Sequence, residues 1–393
     1  VKNKRILISG AGIAGPTLAY WLAEHGFSPT LVEHAPAPRT GGYIIDFWGH
    51  GYDIAERMKL LPALRAAGYT IDEVRIVDAY GRRVGGFSVQ VFDTVLKGRY
   101  LSILRSDLAH LLYVAIKGRI PVLFGDYVTA LDQDGDGVLV TFARSAPQRF
   151  DLLIGADGLH SAVRGLVFGP QTLFETYLGY EAAAFTAHGY ALRDEHVYIA
   201  YAAPGRQIYR CALRDGCTVF FFVLARERPT TPATRETQQA VLRAAFGATD
   251  WECPAILAAM AGAEDFYFDA VSQIRMDSWS RGRVALVGDA CSCPSLLAGQ
   301  GAALAMTGAY VLAGELKKAK GDHAAAFGAY ETLLRPFMAG KQRAGASVAG
   351  AFAPKTRLGI FVRNQITRLM MLPPVASLTL GALLSDRLSL PDY

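Results

Sequence analysis

RILISGAGIAGPTLAYWLAEHGFSPTLVE, residues Arg5 to Glu33, decides the fold. Lys4 to Ser9, which carries RILIS, reads as a short buried strand, and Gly10 to Gly15 as a glycine turn. From Thr17 to His25 the apolar positions Leu18, Trp21 and Leu22 share one helical face, and Gly26 stops the run. Pro29-Thr30-Leu31-Val32 then forms a second strand ending at Glu33. Strand, turn, helix and strand in that order make a βαβ unit, which predicts a parallel, doubly wound α/β sheet. Within Gly10-Ala11-Gly12-Ile13-Ala14-Gly15, Gly10 permits the tight turn and Gly12 lets the backbone approach a pyrophosphate. Gly15 lets the helix close on the strand. The free N–H groups of the helix N-terminus then face the phosphates. Glu33, 18 positions after Gly15, is placed to accept the hydroxyls of an adenosine ribose. This motif alone does not separate a flavin from a nicotinamide dinucleotide.

Working outward, Ile54 to Ala67 is predicted as one helix stopped by Gly68, and Val74 to Val91 as hairpin strands broken at Gly81 and Gly85-Gly86. A helix is expected from Ser106 to Ile116, capped by Ser106 or Asp107. Strands are expected around the turn Asp134 to Gly137, and Leu152-Leu153-Ile154 is another buried strand. It leads into a second motif, Gly155-Ala156-Asp157-Gly158, continuing to Ser161 and Arg164. From about Thr176 to Phe268 aromatic and β-branched residues predict an antiparallel sheet, interrupted by a helix from Arg235 to Phe246. Val284 to Val287 returns to the buried parallel type and opens a third motif, Gly288-Asp289-Ala290. That motif runs through Pro294 to Gly299-Gln300-Gly301 and a long alanine-rich helix, Gly301 to Lys318. Asp289, at the end of a parallel strand, is placed to hold a ribityl hydroxyl. The helix starting near Gly301 can stabilise negative charge on a reduced flavin ring. The expected division is a discontinuous nucleotide-binding domain (1–73, 100–175 and 270–340), a substrate domain (74–99 and 176–269) and a C-terminal helical segment (341–393).

The 393 residues are 51% hydrophobic and 19% charged, enough for a large core and unlike a disordered chain. A net charge of +5 without a basic run excludes an electrostatic case for nucleic acid. Lys317, Lys318 and Lys320 read as a solvated helix end. Five cysteines at irregular spacing (Cys211, Cys217, Cys253, Cys291, Cys293) describe neither a disulfide framework nor a metal clip, so no metal and a reducing cytoplasm are expected. The first apolar run enters a glycine turn instead of a leader cleavage site. The longest uncharged stretch, Leu369 to Leu384, contains Pro373-Pro374 and is too short to span a bilayer, so no integral membrane segment is expected.

The three motifs, in this order, resemble those of the group A flavoprotein monooxygenases with the p-hydroxybenzoate hydroxylase fold. The resemblance spans most of the chain. It implies a doubly wound FAD-binding domain with an inserted, mainly antiparallel β substrate domain and C-terminal helices. It places the glycine fingerprint on Gly10, Gly12, Ala14 and Gly15, and the ribose acid on Glu33 with His34 beside it. The DG motif falls on Asp157 and Gly158, and the ribityl-contacting GD motif on Gly288 and Asp289. Arg105, in Ile-Leu-Arg-Ser-Asp-Leu, and Arg39, just before Gly41-Gly42, match the family's arginines near the cofactor. Gly42, Gly299, Gly301 and Ala302 complete the implied FAD contacts. The sequence departs from the family at His34, where many members carry arginine, at Ala290-Cys291, where many have Ala-His, and at Ala302, where many have asparagine. Gly41-Gly42-Tyr43-Ile44-Ile45-Asp46 is similar to the flavin-facing strand of the tetracycline-inactivating branch.

The resemblance implies a monooxygenase, monomeric or homodimeric, that uses NADPH or NADH and O2 to hydroxylate a small aromatic or polycyclic substrate through a flavin C4a-hydroperoxide. On the substrate side the residues offer Arg210 as a cation for a phenolate or carboxylate, with Tyr209 on the same strand and Trp48 and His50 as possible borders. Each has an alternative: an outward-facing strand arginine, a solvated histidine. Phe220 to Phe222 must alternate between sheet faces. A disulfide reductase would need a second glycine fingerprint and a CxxC pair, and a halogenase a WxWxIP pattern that Trp48, Trp251 and Trp279 do not form. A flavin reductase of the same fold and an FAD-binding homologue without oxygen chemistry remain as alternatives.

Overall fold

Ile6, Leu7 and Ile8 are completely buried, as a central parallel strand covered on both faces requires. Each such side chain contributes roughly 1.5–3 kcal/mol by leaving water. The computed structural model describes residues 2–39, 41–191, 194–214, 216–230, 234–370, 386 and 388–393. Its six-stranded sheet has the order Ser280–Arg281, Val284–Leu286, Leu152–Gly155, Arg5–Ser9, Ser28–Glu33, Val122–Phe124. All neighbours pair in parallel except the edge strand Ser280–Arg281. Arg5–Ser9 is thus flanked by the strand that follows it and by one from much later in the chain. That is a switch point, whose carboxyl edge is the ligand edge of such sheets. The helix Ala14–Glu24 packs against Gly301–Lys318 and Arg105–Ile116. A three-stranded sheet (Val128–Gln133, Val138–Phe142, Gln148–Phe150) adds Val138, Val140 and Phe150 to the same core.

The second large sheet has seven strands, ordered Phe266–Ile274, Glu175–His188, Cys217–Ala225, Arg206–Ala212, Val197–Ala203, Glu73–Val77, Arg83–Ser88. One face carries Phe185, Ile208, Phe220 and Phe222 into a core closed by the helices Arg235–Phe246 and Cys253–Met260. The hairpin Ile44–Trp48 and Tyr100–Leu104 stands apart as a two-stranded sheet.

Several elements differ from expectation. Ile54 to Ala67 is two helices, His50–Arg57 and Leu61–Ala67. Lys59 takes a left-handed conformation, and Pro62, which would clash with the preceding turn inside one helix, opens the second. The helix expected at Ser106 begins at Arg105 with no side-chain cap, because the strand Tyr100–Leu104 runs directly into it. The predicted antiparallel sheet contains one parallel pair, Val197–Ala203 with Glu73–Val77. Its last strand continues to Ile274. Two long C-terminal helices follow, His323–Phe352 and Arg357–Leu369. Most of the uncharged stretch 369–384 lies outside the described residues. Among the described residues no helix is long and apolar enough to cross a membrane.

Arg357–Leu369 is seated on the strand Arg83–Ser88 by the absence of a side chain at Gly85. A Cβ there would lie 2.8 Å from Thr367 Oγ1 and 3.2 Å from the Asn364 carbonyl oxygen. Gly85→Val is therefore expected to lift this helix. Limited proteolysis should cleave within residues 353–370 at least several-fold faster than in the wild type, and an unchanged cleavage pattern would refute the packing.

Candidate active site

A continuous cavity of about 2080 Å³ runs from the carboxyl edge of the parallel sheet to the second face of the seven-stranded sheet. That exceeds the few hundred to about 1,000 Å³ of an ordinary small-molecule site and leaves room for a dinucleotide plus a second molecule. Its dinucleotide end is built by the first glycine turn. A Cβ on Gly15 would lie 1.9 Å from the Gly10 carbonyl oxygen, and one on Gly10, at φ +106°, would lie 2.5 Å from the Ala156 carbonyl oxygen. A Cβ on Gly12 would meet only the Arg105 guanidinium, 4.0 Å away. The space before the turn is thus faced by backbone on one side and a cation on the other. The helix Ala14–Glu24 starts there without a side-chain cap, so its first N–H groups are available to phosphate oxygens.

Glu33 accepts backbone N–H groups from Ala11 at 2.8 Å and Ala35 at 2.9 Å, which fixes its carboxylate at the cavity wall. Arg39 lies 3.7 Å from Glu33 and is largely exposed. His34 meets Tyr127 edge to face, with ring centroids 4.8 Å apart, and both line the cavity.

Asp157 accepts from the Ser161 hydroxyl at 2.5 Å and the Val163 amide at 3.0 Å. Burial raises its pKa, against the pull of those hydrogen bonds. Arg164, fully buried, donates to the carbonyl oxygens of Ala290 at 2.9 Å and Leu159 at 2.7 Å and to Gln171 at 3.0 Å. One guanidinium therefore ties the loop after Asp157 and Gly158 to the loop after Gly288 and Asp289. Gly288 packs against Ala14 and Ala305. Asp289 is half-buried, and desolvation raises its pKa while Arg105 lowers it. Its Oδ1 lies 3.9 Å from a Cβ placed on Gly301, at the uncapped start of Gly301–Lys318. Gly299, Gly301 and Ala302 line the cavity beside it. An acceptor for hydroxyls, a helix N-terminus for a ring that gains negative charge, and a guanidinium before the glycine turn fit the ribityl, ring and diphosphate portions of FAD.

Gly42 donates its N–H to Asp265 at 2.9 Å, and the same carboxylate accepts from the Thr186 amide at 2.7 Å and hydroxyl at 2.8 Å. The Gly41-Gly42 segment is thereby pinned to the seven-stranded sheet. Beyond it the cavity is aromatic. Tyr43 packs 5.6 Å from Tyr267 and 6.0 Å from Phe221, and Tyr209 packs 6.1 Å from Phe221 and 6.2 Å from Phe352.

Alternation sorts the substrate-side candidates. On Arg206–Ala212, Gln207, Tyr209 and Cys211 line the cavity. Arg210 takes the opposite face, buried, with Asp194 at 2.9 Å and Glu252 at 3.7 Å. Its charge is matched there, and the anion-binding role expected of it is not supported by its position. Nor does His50 border the cavity. It is buried at the start of its helix, 3.5 Å from Asp53 and 3.9 Å from Asp386, with its ring against Phe337. Trp48 packs on Phe92 and Tyr100 outside the cavity wall. Phe221 faces the cavity while Phe220 and Phe222 face the core. The Cys291 thiol donates to the Gly288 carbonyl oxygen, and burial pushes its pKa up to about 12, which leaves it an inert thiol.

Comparison with known proteins agrees with this geometry. The family described as FAD binding domain matches residues 74–333. A flavin-dependent monooxygenase from an unknown prokaryotic organism is 38% identical over 359 residues, 89% of this chain and 90% of its own. The chain belongs to the flavin-dependent monooxygenases. It is also similar to the tetracycline destructase Tet(51), with a TM-score of 0.86 at 34% identity, over 99% of this chain and 100% of that one. An HpxO from Klebsiella pneumoniae complexed with FAD matches with a TM-score of 0.81 at 25% identity, over 98% and 100%.

Three further groups of this monooxygenase were given no role of their own by the sequence reading. Asp265 anchors the Gly41-Gly42 segment across 223 positions of chain, which no local pattern reveals. Asp46 accepts from the Tyr100 and Ser102 hydroxyls at 2.6 and 2.7 Å, lines the cavity, and has its pKa raised by burial. Arg363 enters the cavity wall from Arg357–Leu369, a helix inside the expected C-terminal helical segment that was given no part in the site.

Two arginines test the assignment. Arg105→Ala should weaken FAD binding by on the order of 10–100-fold, the worth of a charge-assisted hydrogen bond. Arg210→Ala should leave FAD affinity within about twofold and instead cost roughly 1–3 kcal/mol of stability, by removing a buried, charge-assisted hydrogen bond to Asp194 and the nearby cation facing Glu252. Titration of apoprotein with FAD and denaturant melts check both. Equal FAD affinities in the two variants would contradict it.

Proposed function

We propose that NADPH or NADH reduces the flavin of this monooxygenase and that one oxygen atom of O2 enters a small aromatic or polycyclic substrate held on the cavity face of the seven-stranded sheet. The observation that carries this reading is the continuity of the cavity. The cradle of Gly12, Glu33, Arg105 and Asp289 opens directly into a chamber walled by Tyr43, Tyr209, Phe221 and Tyr267. Aromatic walls favour a planar apolar substrate, which they bind by offset and edge contacts.

Bound FAD supplies the hydride acceptance and dioxygen activation, so the side chains are left with orientation, dryness and proton handling. Gly12, Glu33, Arg39, Arg105 and Asp289 hold the cofactor, and Asp157 with Arg164 holds the loops that carry it. The Tyr43 carbonyl oxygen accepts from the Arg105 amide, which joins the wall of the chamber to the cradle. The aromatic walls exclude water from the reacting atoms. Asp46, with Tyr100 and Ser102 donating to it, is the acid placed to hold a proton beside a substrate hydroxyl. Residues 74–99 and 176–269, read as the substrate domain, contribute Tyr209, Phe221 and Tyr267 to the chamber, and Tyr43 and the helix Arg357–Leu369 add to its wall from outside them. A reducing cytoplasm suits five cysteines that form no disulfide.

The test is NADPH and NADH oxidation by the holoenzyme with a panel of phenols and polycyclic aromatics under isotope-labelled dioxygen. At least one ligand is expected to raise NAD(P)H consumption at least tenfold and to yield a product heavier by one labelled oxygen atom. NAD(P)H oxidation that never labels any ligand would overturn the reading.

A further inference from the structure

Arg210 and Arg363 are held in opposite ways. Arg210 is buried between two carboxylates on the helix-covered face. Arg363, on the helix Arg357–Leu369, lines the cavity and has no carboxylate partner among the described residues. Its Nη1 donates to Gln207 Oε1 at 2.5 Å and its Nε to Asn364 Oδ1 at 3.1 Å. Its Nη2 is buried and has no hydrogen-bond partner among the described residues. A buried donor left unsatisfied costs about 1–3 kcal/mol, more when charged. Burial lowers the pKa of Arg363, with Tyr209 pulling it back up, yet a guanidinium stays protonated in proteins. A retained, unpaired cation in an aromatic chamber points to a negative group that arrives with a ligand.

The mount is rigid. Gln207 is almost fully buried on the sheet. The helix is held one turn beyond Arg363 by Thr367, whose hydroxyl accepts from the Gly86 amide at 3.3 Å. Leu358, Val362 and Ile366 of the same helix are exposed apolar residues that also line the cavity, so the cation sits behind an apolar entrance. The chamber is polarised along its length. Gln207, Tyr209 and Cys211 face it from one strand, so Gln207 and Cys211 stand about 13 Å apart at the usual rise per residue. Arg363 joins the Gln207 end. Asp46 lies at the Cys211 end, near enough to add to the effect of burial in raising the Cys211 thiol pKa. An acidic ligand oxygen is attracted to the first end and disfavoured at the second.

We propose that Arg363, mounted on Gln207, is a substrate-orienting cation that takes an anionic oxygen of the aromatic substrate, as phenolate, enolate or carboxylate. The proposal rests on the reading of this cavity as the substrate chamber. It adds a residue that sets which end of the substrate enters first. The planar fork of arginine suits a carboxylate or a pair of neighbouring oxygens better than a lysine ammonium does.

The experiment uses a matched pair of fluorescent probes, anthracene carboxylate and its neutral carboxamide, titrated into the holoenzyme and followed by the probes' own anisotropy. The wild type should bind the carboxylate more tightly than the carboxamide by on the order of 10–100-fold. Arg363→Met should erase that preference while leaving carboxamide affinity and FAD content unchanged, and Arg363→Lys should keep part of it. A wild type without the preference, or one that binds neither probe, overturns the proposal. So does a preference that survives in Arg363→Met. The wild-type ratio decides the matter even if the methionine variant does not fold. Probe fluorescence reports binding whether or not any ligand is oxygenated, so failure here is distinct from failure of the monooxygenase chemistry.

Discussion

The carbonyl oxygen of Ala156 lies where a side chain on Gly10 would have to be, and the carbonyl oxygen of Gly10 lies where one on Gly15 would have to be. Backbone contact of this kind brings together segments separated by about 146 positions of chain, and no substitution relaxes it without moving a strand. The third loop joins the same floor. Gly288 rests on Ala14 and Ala305, and Arg164 spans from the second loop to the third. Each loop enters from a neighbouring strand of one parallel sheet, so the sheet register sets their spacing. A cofactor that binds here meets donors and acceptors already in place, which lowers the ordering cost of binding.

The second large sheet is attached to this floor by apolar packing, as of Ile44 and Leu104 with Val74 and Val219, and by a few polar contacts. Asp265 holds the Gly41-Gly42 segment with one oxygen and Thr186 with both. Gly42 belongs to the cradle's side and Thr186 to the sheet, so a single carboxylate registers the cradle against the chamber. The seven-stranded sheet then divides its labour by face. Phe220, Phe222 and Ile208 close a core under two helices, while Phe221, Tyr209 and Gln207 are left to the cavity. One face supplies the stability that lets the other remain open.

What could be read from the sequence was local. Gly10, Gly12, Gly15, Glu33, Asp157 and Asp289 sit next to strand ends that announce themselves as apolar runs, and all of them reach the cavity or its supports. The substrate side depends on parity, which a strand of alternating neighbours does not disclose. Tyr209 and Arg210 were both candidates, yet adjacent residues face opposite sides, and only the register with Cys217–Ala225 says which is which. His50 was misplaced because its environment comes from Asp386, far along the chain. Arg363 went unseen because the helix that carries it matters only through its seat on Gly85. The single helix expected over 54–67 ignored Pro62, which breaks it.

The most direct test of the account is the flavin content of the purified protein, read from its visible spectrum after release of bound cofactor and after reconstitution with FAD. The account predicts FAD bound in an amount equimolar with the chain, and most of it lost in Asp289→Ala. A protein that carries no flavin and takes up none on reconstitution would contradict it, because the joined loops, the opposed arginine and the continuous cavity would then have no shared occupant.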